Sequence, residues 1–370
     1  KYYKEAGFYA ASALQMTILF GLLFALASIV FLDPLIGFFN LADPDAYASA
    51  RSYMLITCGL IIFSFLNLTL TGLFTAQGDS RSPLMANFLG LVGNMFLDPL
   101  LILGIGPFPR LETVGAAIAT VTAQILVFSV LVFRIFTSRL EPNVLRGLHL
   151  FSRFPGKFYK NILRIGLPTA IQSMIYCMIS MVLTRMVSAF GAAAIAVQRV
   201  GGQIESVSWN TADGFASALN AFTAQNFGAK KYDRVKKGGR FGILCGIILA
   251  ELVGLSIYVA IPVLVACFNR DPEIIAYGVK QAHILTPFFF LCAFSHCMAG
   301  LLRGAGKSAV PMYIMMIIWC FIRVAYISII VKYIPTIDVV FWAYPLTWLL
   351  SALAFLYYFL KTDWVHGYPR

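Results

Sequence analysis

Apolar stretches of 20 or more residues recur along the whole length of this chain, and they limit its possible folds more than any other feature. Each is long enough for a helix to cross a bilayer core, which takes about 20 residues. Counted between polar breaks they give ten candidate spans, at about 7–32, 52–77, 84–106, 113–135, 161–189, 201–227, 241–267, 279–302, 311–332 and 339–360. The short segments of alternating polarity that a membrane barrel needs are absent. Composition agrees: the chain is 60% hydrophobic and 12% charged, with a mean hydropathy of +0.82, where a soluble domain carries about 25% charged residues. The expectation is an all-α polytopic membrane protein.

A net charge of +12 would suit a nucleic-acid partner if it were spread over one face. Instead the basic residues gather in alternate loops. One group holds Arg134, Arg139, Arg146, Arg153, Lys157, Lys160 and Arg164, a second Lys230, Lys231, Arg234, Lys236, Lys237 and Arg240, a third Arg303 and Lys307. The intervening loops, such as "FNLADPDAY" and "IPTID", are short and poor in Lys and Arg. By the positive-inside rule the basic loops are cytoplasmic, with Lys1, Lys4 and Lys361 on the same side. The charge is thus topological, and no nucleic-acid partner is expected. The partner expected from this pattern is membrane lipid.

Seven cysteines lie in apolar runs without metal-ligand spacing or a disulfide framework, and read as packing residues. The sequence shows no paired His–acid or Ser–His constellation, HExxH or P-loop, so neither an enzyme nor an ATP-driven pump is expected and no cofactor is called for.

The chain repeats itself. "TGLFTAQGDSRSP", ending at Pro83, and "AGLLRGAGKSAVP", ending at Pro311, align at an offset of 228. That offset pairs Gly72 with Gly300, Gly78 with Gly306, Ser80 with Ser308, Pro34 with Pro262, and Asp43–Pro44 with Asp271–Pro272. Such agreement at one spacing indicates duplication, and an offset of six helices makes the copies parallel repeats. The expected organisation is two pseudo-symmetric six-helix lobes: 1–135 (the last four helices of the first lobe), a cytoplasmic linker 136–160, and 161–370. The second copy places two helices, 161–227, before its basic loop "AKKYDRV", whereas the first opens at "KYYKEAG", which matches that loop. Ten of twelve helices are therefore expected here.

Four acids fall inside the apolar runs: Asp98, Glu205, Asp213 and Glu251. Intramembrane acids are costly and functional by default. In "GNMFLDPLLILG", Asn94 and Asp98 are one helical turn apart on one face, and Pro99 frees a carbonyl about a turn earlier. A carboxylate, an amide oxygen and a loosened carbonyl suit a hard cation such as Na+; a protonatable Asp serves H+ equally. At offset 228 the counterparts are Ile322 and Tyr326, so the site is expected in one lobe only. Asp213 forms a polar stripe with Asn210, Asn220 and Gln225 that would line a substrate cavity. Glu205 near the end of its span, Gln172, Tyr176 and Arg323 are further cavity candidates. Arg323 is expected to pair with an acid or helix-end carbonyls, and leaves anionic or zwitterionic substrates open. Glu251 has no polar company, and His296 reads as a packing residue.

"LDPLLILGIGPFPRLETVGAAIATVTAQ" (97–124), "AFTAQNFGAKKYDRV" (221–235) and "LLRGAGKSAVP" (301–311) together resemble the multidrug and toxic compound extrusion (MATE) family. The resemblance implies an efflux antiporter that exports amphipathic, often cationic compounds against H+ or Na+, by rocking-lobe alternating access. It also implies a small-molecule substrate as partner, with the chain acting as a monomer in a prokaryotic cytoplasmic membrane. The NorM branch of that family carries carboxylates at positions that fall here near Tyr176 and Cys292. Their absence makes the chain more similar to the DinF-like branch, whose first-lobe cation site is matched by Asn94 and Asp98. Asn67 and Thr120 are the candidate partners from neighbouring helices, and an Asp on the first helix of that lobe would complete the set. A flippase of lipid-linked substrates with a related two-lobe fold is the alternative; it would need a cationic cavity, for which Arg323 and Arg185 are the deep bases.

Overall fold

A computed structural model describes residues 2–37, 43–137, 144–148, 152, 154–188, 190–268 and 270–364. Arg139 and Arg153 of the basic linker, and residues 38–42 of the first sparse loop, lie outside the described residues. All the regular elements described are helical. The chain divides into two compact units, Lys1–Ile162 and Leu163–Arg370. The described residues of the linker expected at 136–160 therefore group with the first unit.

The first unit contains α1 (Tyr2–Val30), α2 (Leu32–Gly37), α3 (Pro44–Gly59), α4 (Ile62–Ala76), α5 (Arg81–Leu103) and α6 (Glu112–Thr137). Its core is built on Leu70 and Phe74 of α4 and Val127 and Leu131 of α6. α5 lies against α6 at backbone distance. A Cβ on Gly115 would sit 2.5 Å from the Leu101 carbonyl oxygen, so no larger residue fits there. The boundary between the units falls within α7 (Gly156–Ser188), whose first turns are fastened to α1 by Tyr159 donating to Gln15 and Asn161 donating to the Tyr9 hydroxyl at 2.8 Å.

The second unit continues with α8 (Ala192–Gly228), α9 (Tyr232–Phe268), α10 (Pro272–Leu285), a 3-10 turn (Thr286–Phe288), α11 (Phe289–Gly304), α12 (Ala309–Met315), a π-helical segment (Met316–Ile322), α13 (Arg323–Ile330) and α14 (Asp338–Lys361). Its core gathers around Phe289, Trp319, Trp348 and Phe355. Large apolar side chains such as Phe20, Leu91, Phe133, Val259 and Leu360 remain exposed, the surface a lipid-facing helix needs.

Eight described helical segments are long and apolar enough to span a membrane, or nine with the α3–α4 pair taken as one bent span. The chain is a multi-pass membrane protein. Where single spans were expected, one is bent into two helices and two are continuous spans with a local irregularity inside. The 52–77 run becomes α3 and α4, bent by 42°; the 279–302 run is α10, the 3-10 turn and α11; the 311–332 run is α12, the π segment and α13. The 201–227 run is helical, but α8 starts at Ala192 and is absent from the apolar set because it carries Arg199, Glu205, Asp213 and a series of amides.

The duplication has structural counterparts. Asp43 and Asp271 each cap a helix, accepting from the amides of Asp45 (3.0 Å) and Glu273 (2.9 Å), with Pro44 and Pro272 opening the first turn. Gly78 and Gly306 both adopt positive φ, at 89° and 74°. The break at Leu60 and Ile61 aligns at offset 228 with Phe288 and Phe289, where the 3-10 turn ends. The π segment has no such twin: its counterpart lies within the regular helix α5.

Candidate functional site

In the first unit α5 carries Asn94 and Asp98 one turn apart, and Pro99 inside the helix removes the N–H that would otherwise reach the Met95 carbonyl. Asp98 is half-buried, and among the described residues it has neither a hydrogen-bond nor an ion-pair partner. The Asn94 Nδ2 is buried without a partner. On α4, Asn67 is buried; its Nδ2 donates to the backbone oxygen of Gln124 on α6 at 2.9 Å and to Gln124 Oε1 at 2.8 Å. That leaves Asn67 Oδ1 buried and unpartnered. Thr120 is half-buried on α6, one turn before Gln124. No hydrogen bond joins Asp98 to Asn94, Asn67 or Thr120; the structure ties Asn67 to Gln124 instead. Sequence reading missed Gln124, although an intramembrane amide one turn from Thr120 was a usable signal.

Of the cavities in the second unit, two are lined by candidate polar residues; a third, about 430 Å³, lies between α9, α11 and the end of α14 and holds none of them. The larger of the two, about 420 Å³, is lined by Gln172 and Tyr176 of α7, Trp209 and Asp213 of α8, and His296 and Arg303 of α11, among others. His296 Nδ1 lies 2.7 Å from Asp213 Oδ1, and its Nε2 is buried without a partner. The imidazole is set edge-on to Trp209, with ring centres 4.8 Å apart, and tilted against Trp319 at 5.4 Å. Arg303 donates to Gln172 Oε1 at 3.1 Å, while its Nε is buried and unpartnered. The cavity thus offers a carboxylate, an imidazole and a guanidinium between aromatic walls, so ligands of either sign find a complementary group.

The smaller cavity, about 270 Å³, is lined by Tyr176, Gln198, Glu205, Gln281, Cys292 and Tyr344, among others. Gln281 Nε2 donates to Glu205 Oε1 at 2.9 Å. Tyr176 borders both cavities. Of the sequence candidates, Gln172, Tyr176, Asn210 and Asp213 meet at the larger cavity and Tyr176 and Glu205 at the smaller, whereas Asn220 and Gln225 of the expected stripe line neither. Arg323 lines neither. Sequence reading did not single out Arg303 or Gln281 for a site, because each depends on a helix 70 or more residues away.

Arg323 follows directly after the π segment and is 1% exposed. Its partner is neither an acid nor a helix-end carbonyl. Nε and one terminal nitrogen donate to Thr347 Oγ1 at 3.0 and 2.7 Å, and the guanidinium carbon sits 4.2 Å from the centre of the Tyr344 ring. A hydroxyl and a π face are a sparse setting for a buried cation. Glu251 has polar company after all: its carboxylate accepts from the Phe290 amide at 2.9 Å, in the first turn of α11, where unpaired N–H groups and the helix dipole favour an anion. Among the described residues, no group of three or more His, Cys, Asp or Glu side chains is placed to hold a metal ion.

A family model described as MatE matches residues 1–100 and 168–334. The probable multidrug resistance protein NorM of Thermotoga maritima is 30% identical over 305 residues, which cover 81% of this chain and 64% of that protein. The FAD transporter of Shewanella oneidensis is 30% identical over 275 residues, covering 74% and 60%. The chain thus spans a little under two thirds of the length of these relatives. Among solved structures, a MOP superfamily transporter from Pyrococcus furiosus superposes with a TM-score of 0.87 at 20% identity, over 99% of this chain and 81% of that one, and so shares the fold. With most of its length matched by the family model, the chain belongs to the MatE family.

Proposed function

We propose that the protein is a secondary active efflux antiporter for small amphipathic molecules, with Asp98 as its coupling acid and the larger cavity of the second unit as part of the cargo site. The observation that carries this reading is Asp98 itself, a carboxylate without a partner on an apolar helix, one turn from Asn94, whose Nδ2 is also buried and unpartnered. Desolvating an anion in that setting is costly unless it takes up H+ or a metal ion such as Na+. Asn94 and the free Asn67 Oδ1 would assist, and Thr120 adds a hydroxyl from α6. Transport proceeds by alternating access, with no cofactor. Relatives named as multidrug resistance proteins support the export of varied compounds.

A second cargo class, anionic aromatic molecules, is favoured by Arg303 at the cavity wall beside Trp209 and Trp319; a 30% identical relative is named an FAD transporter. The test is uptake of a fluorescent cationic dye and of a flavin nucleotide into proteoliposomes, with H+ and Na+ gradients imposed separately. Transport driven by one gradient supports the antiporter reading; equal transport without any gradient contradicts it.

A further inference from the structure

The smaller cavity of the second unit holds an arrangement of oxygen atoms that the coupling and cargo assignments above leave unused. Glu205 and Gln198 are seven residues apart on α8, two turns along one face, and both line the cavity. Gln281 enters from α10. It is 7% exposed; its Nε2 is committed to Glu205, and its Oε1 is buried with no partner. Gln198 Oε1 is likewise buried and unpartnered. Two orphaned amide carbonyls and a carboxylate thus share one cavity, although leaving a buried acceptor unsatisfied destabilises a fold. The fold keeps the arrangement by a close approach: a Cβ on Gly201 would come within 2.9 Å of both polar atoms of the Gln281 amide.

The unused groups define what fits. Among the buried unpartnered atoms of the lining, two are acceptors and one a donor, so the ligand brings N–H groups and, opposite Glu205, positive charge. A primary ammonium has three N–H donors for the three oxygens. A quaternary ammonium has none. A bare alkali ion needs a tight shell of oxygens, whereas this space is about 270 Å³ and its walls include Trp209, Phe289 and Trp348, faces that favour an organic cation and its alkyl chain. Trp348 Nε1, also buried and unpartnered, offers one donor to an oxygen elsewhere on the same molecule. Arg323 does not compete for Glu205, being bonded to Thr347 and set against Tyr344.

We propose that this cavity is a subsite for a primary alkylammonium group of the cargo, with Glu205 as counter-ion and the Gln198 and Gln281 carbonyl oxygens as the other two acceptors. The assignment rests on the second unit being a cargo-binding part of the transporter.

The test is calorimetric binding of n-butylammonium, tetramethylammonium and Na+ to the purified chain in detergent. The expected result is saturable n-butylammonium binding at least tenfold tighter than tetramethylammonium and insensitive to Na+. Glu205→Gln should weaken it at least tenfold without lowering the melting temperature. If that variant does not fold, Gln198→Met, which keeps the charge and the Gln281 bond, should weaken binding at least threefold. Equal affinity for the two ammonium ions, displacement by Na+, or unchanged binding in the variants overturns the proposal. Dye efflux by the unsubstituted protein separates the two readings: efflux without n-butylammonium binding sinks the subsite alone, and binding without gradient-driven efflux sinks the transport reading.

Discussion

His296 and Asp213, 83 residues apart on α11 and α8, meet through a 2.7 Å hydrogen bond at the wall of the larger cavity, with the imidazole packed against two tryptophans. The His side chain is 10% exposed and the Asp side chain 62%. The ring is therefore structural in its packing, while the carboxylate faces the space where cargo would sit.

Replacing Asp213 by Asn preserves a hydrogen-bond partner for His296 and removes one negative charge from the cavity. Cationic cargo should bind several-fold more weakly and anionic cargo several-fold more tightly, with little change in melting temperature, in paired titrations of a cationic dye and a flavin nucleotide. A uniform loss for both would mean that Asp213 acts through structure alone. His296→Ala, which removes the buried ring itself, should cost about 2 kcal/mol of stability.

Thr347 supplies the only hydrogen bonds that Arg323 makes among the described residues, at 2.7 and 3.0 Å. Breaking a buried charged contact from one side is worse than removing the charge. Thr347→Val should therefore destabilise by about 2–3 kcal/mol, whereas Arg323→Met should stay within about 1 kcal/mol of the parent. Thermal unfolding in detergent of both single variants and the double variant checks this, with the double close to Arg323→Met alone.

In the loop before α5, Asp79 accepts from the amides of Arg81 and Ser82 and, at 2.6 Å, from the Ser82 hydroxyl, which itself accepts from Arg134 Nε on α6. Burial raises the Asp79 pKa, but these hydrogen bonds, aided by the Arg134 charge, outweigh it and hold the group below its usual 3.8. A lowered pKa stabilises the fold when the group is ionised, so the contribution is fully present at neutral pH and is lost as pH falls below 3.8 through the folded value. Melting temperatures from pH 7 to pH 3 should show wild type above Asp79→Asn at neutral pH, with the gap closing on the acid side. A constant gap would contradict the assignment.

The positions of most spans were legible because run length is a local property of the sequence, whereas the Asp–Pro pairs at 43–44 and 271–272, read only as repeat markers, open helices ahead of the runs at 52 and 279. The bend at Leu60 was not legible, as no proline marks it; nor was the π segment ahead of Arg323, which reads as one apolar run with its neighbours. Within the sites, the single-turn spacing of Asn94 and Asp98 could be read along one helix. Asn67 with Gln124, Asp213 with His296 and Glu205 with Gln281 could not. Each pair depends on the rotation of two helices about their axes, and helices that are apolar on most sides carry no periodic signal to fix it.

The central claim, that Asp98 couples transport to a cation, is tested most directly by comparing two modes of transport for Asp98→Asn in proteoliposomes. Gradient-driven dye accumulation needs the coupling ion, whereas exchange of labelled for unlabelled dye across the membrane without a gradient needs only the cargo site and the conformational cycle. The predicted result is loss of accumulation by at least tenfold with exchange within about threefold of wild type. Undiminished gradient-driven accumulation by Asp98→Asn would contradict the account.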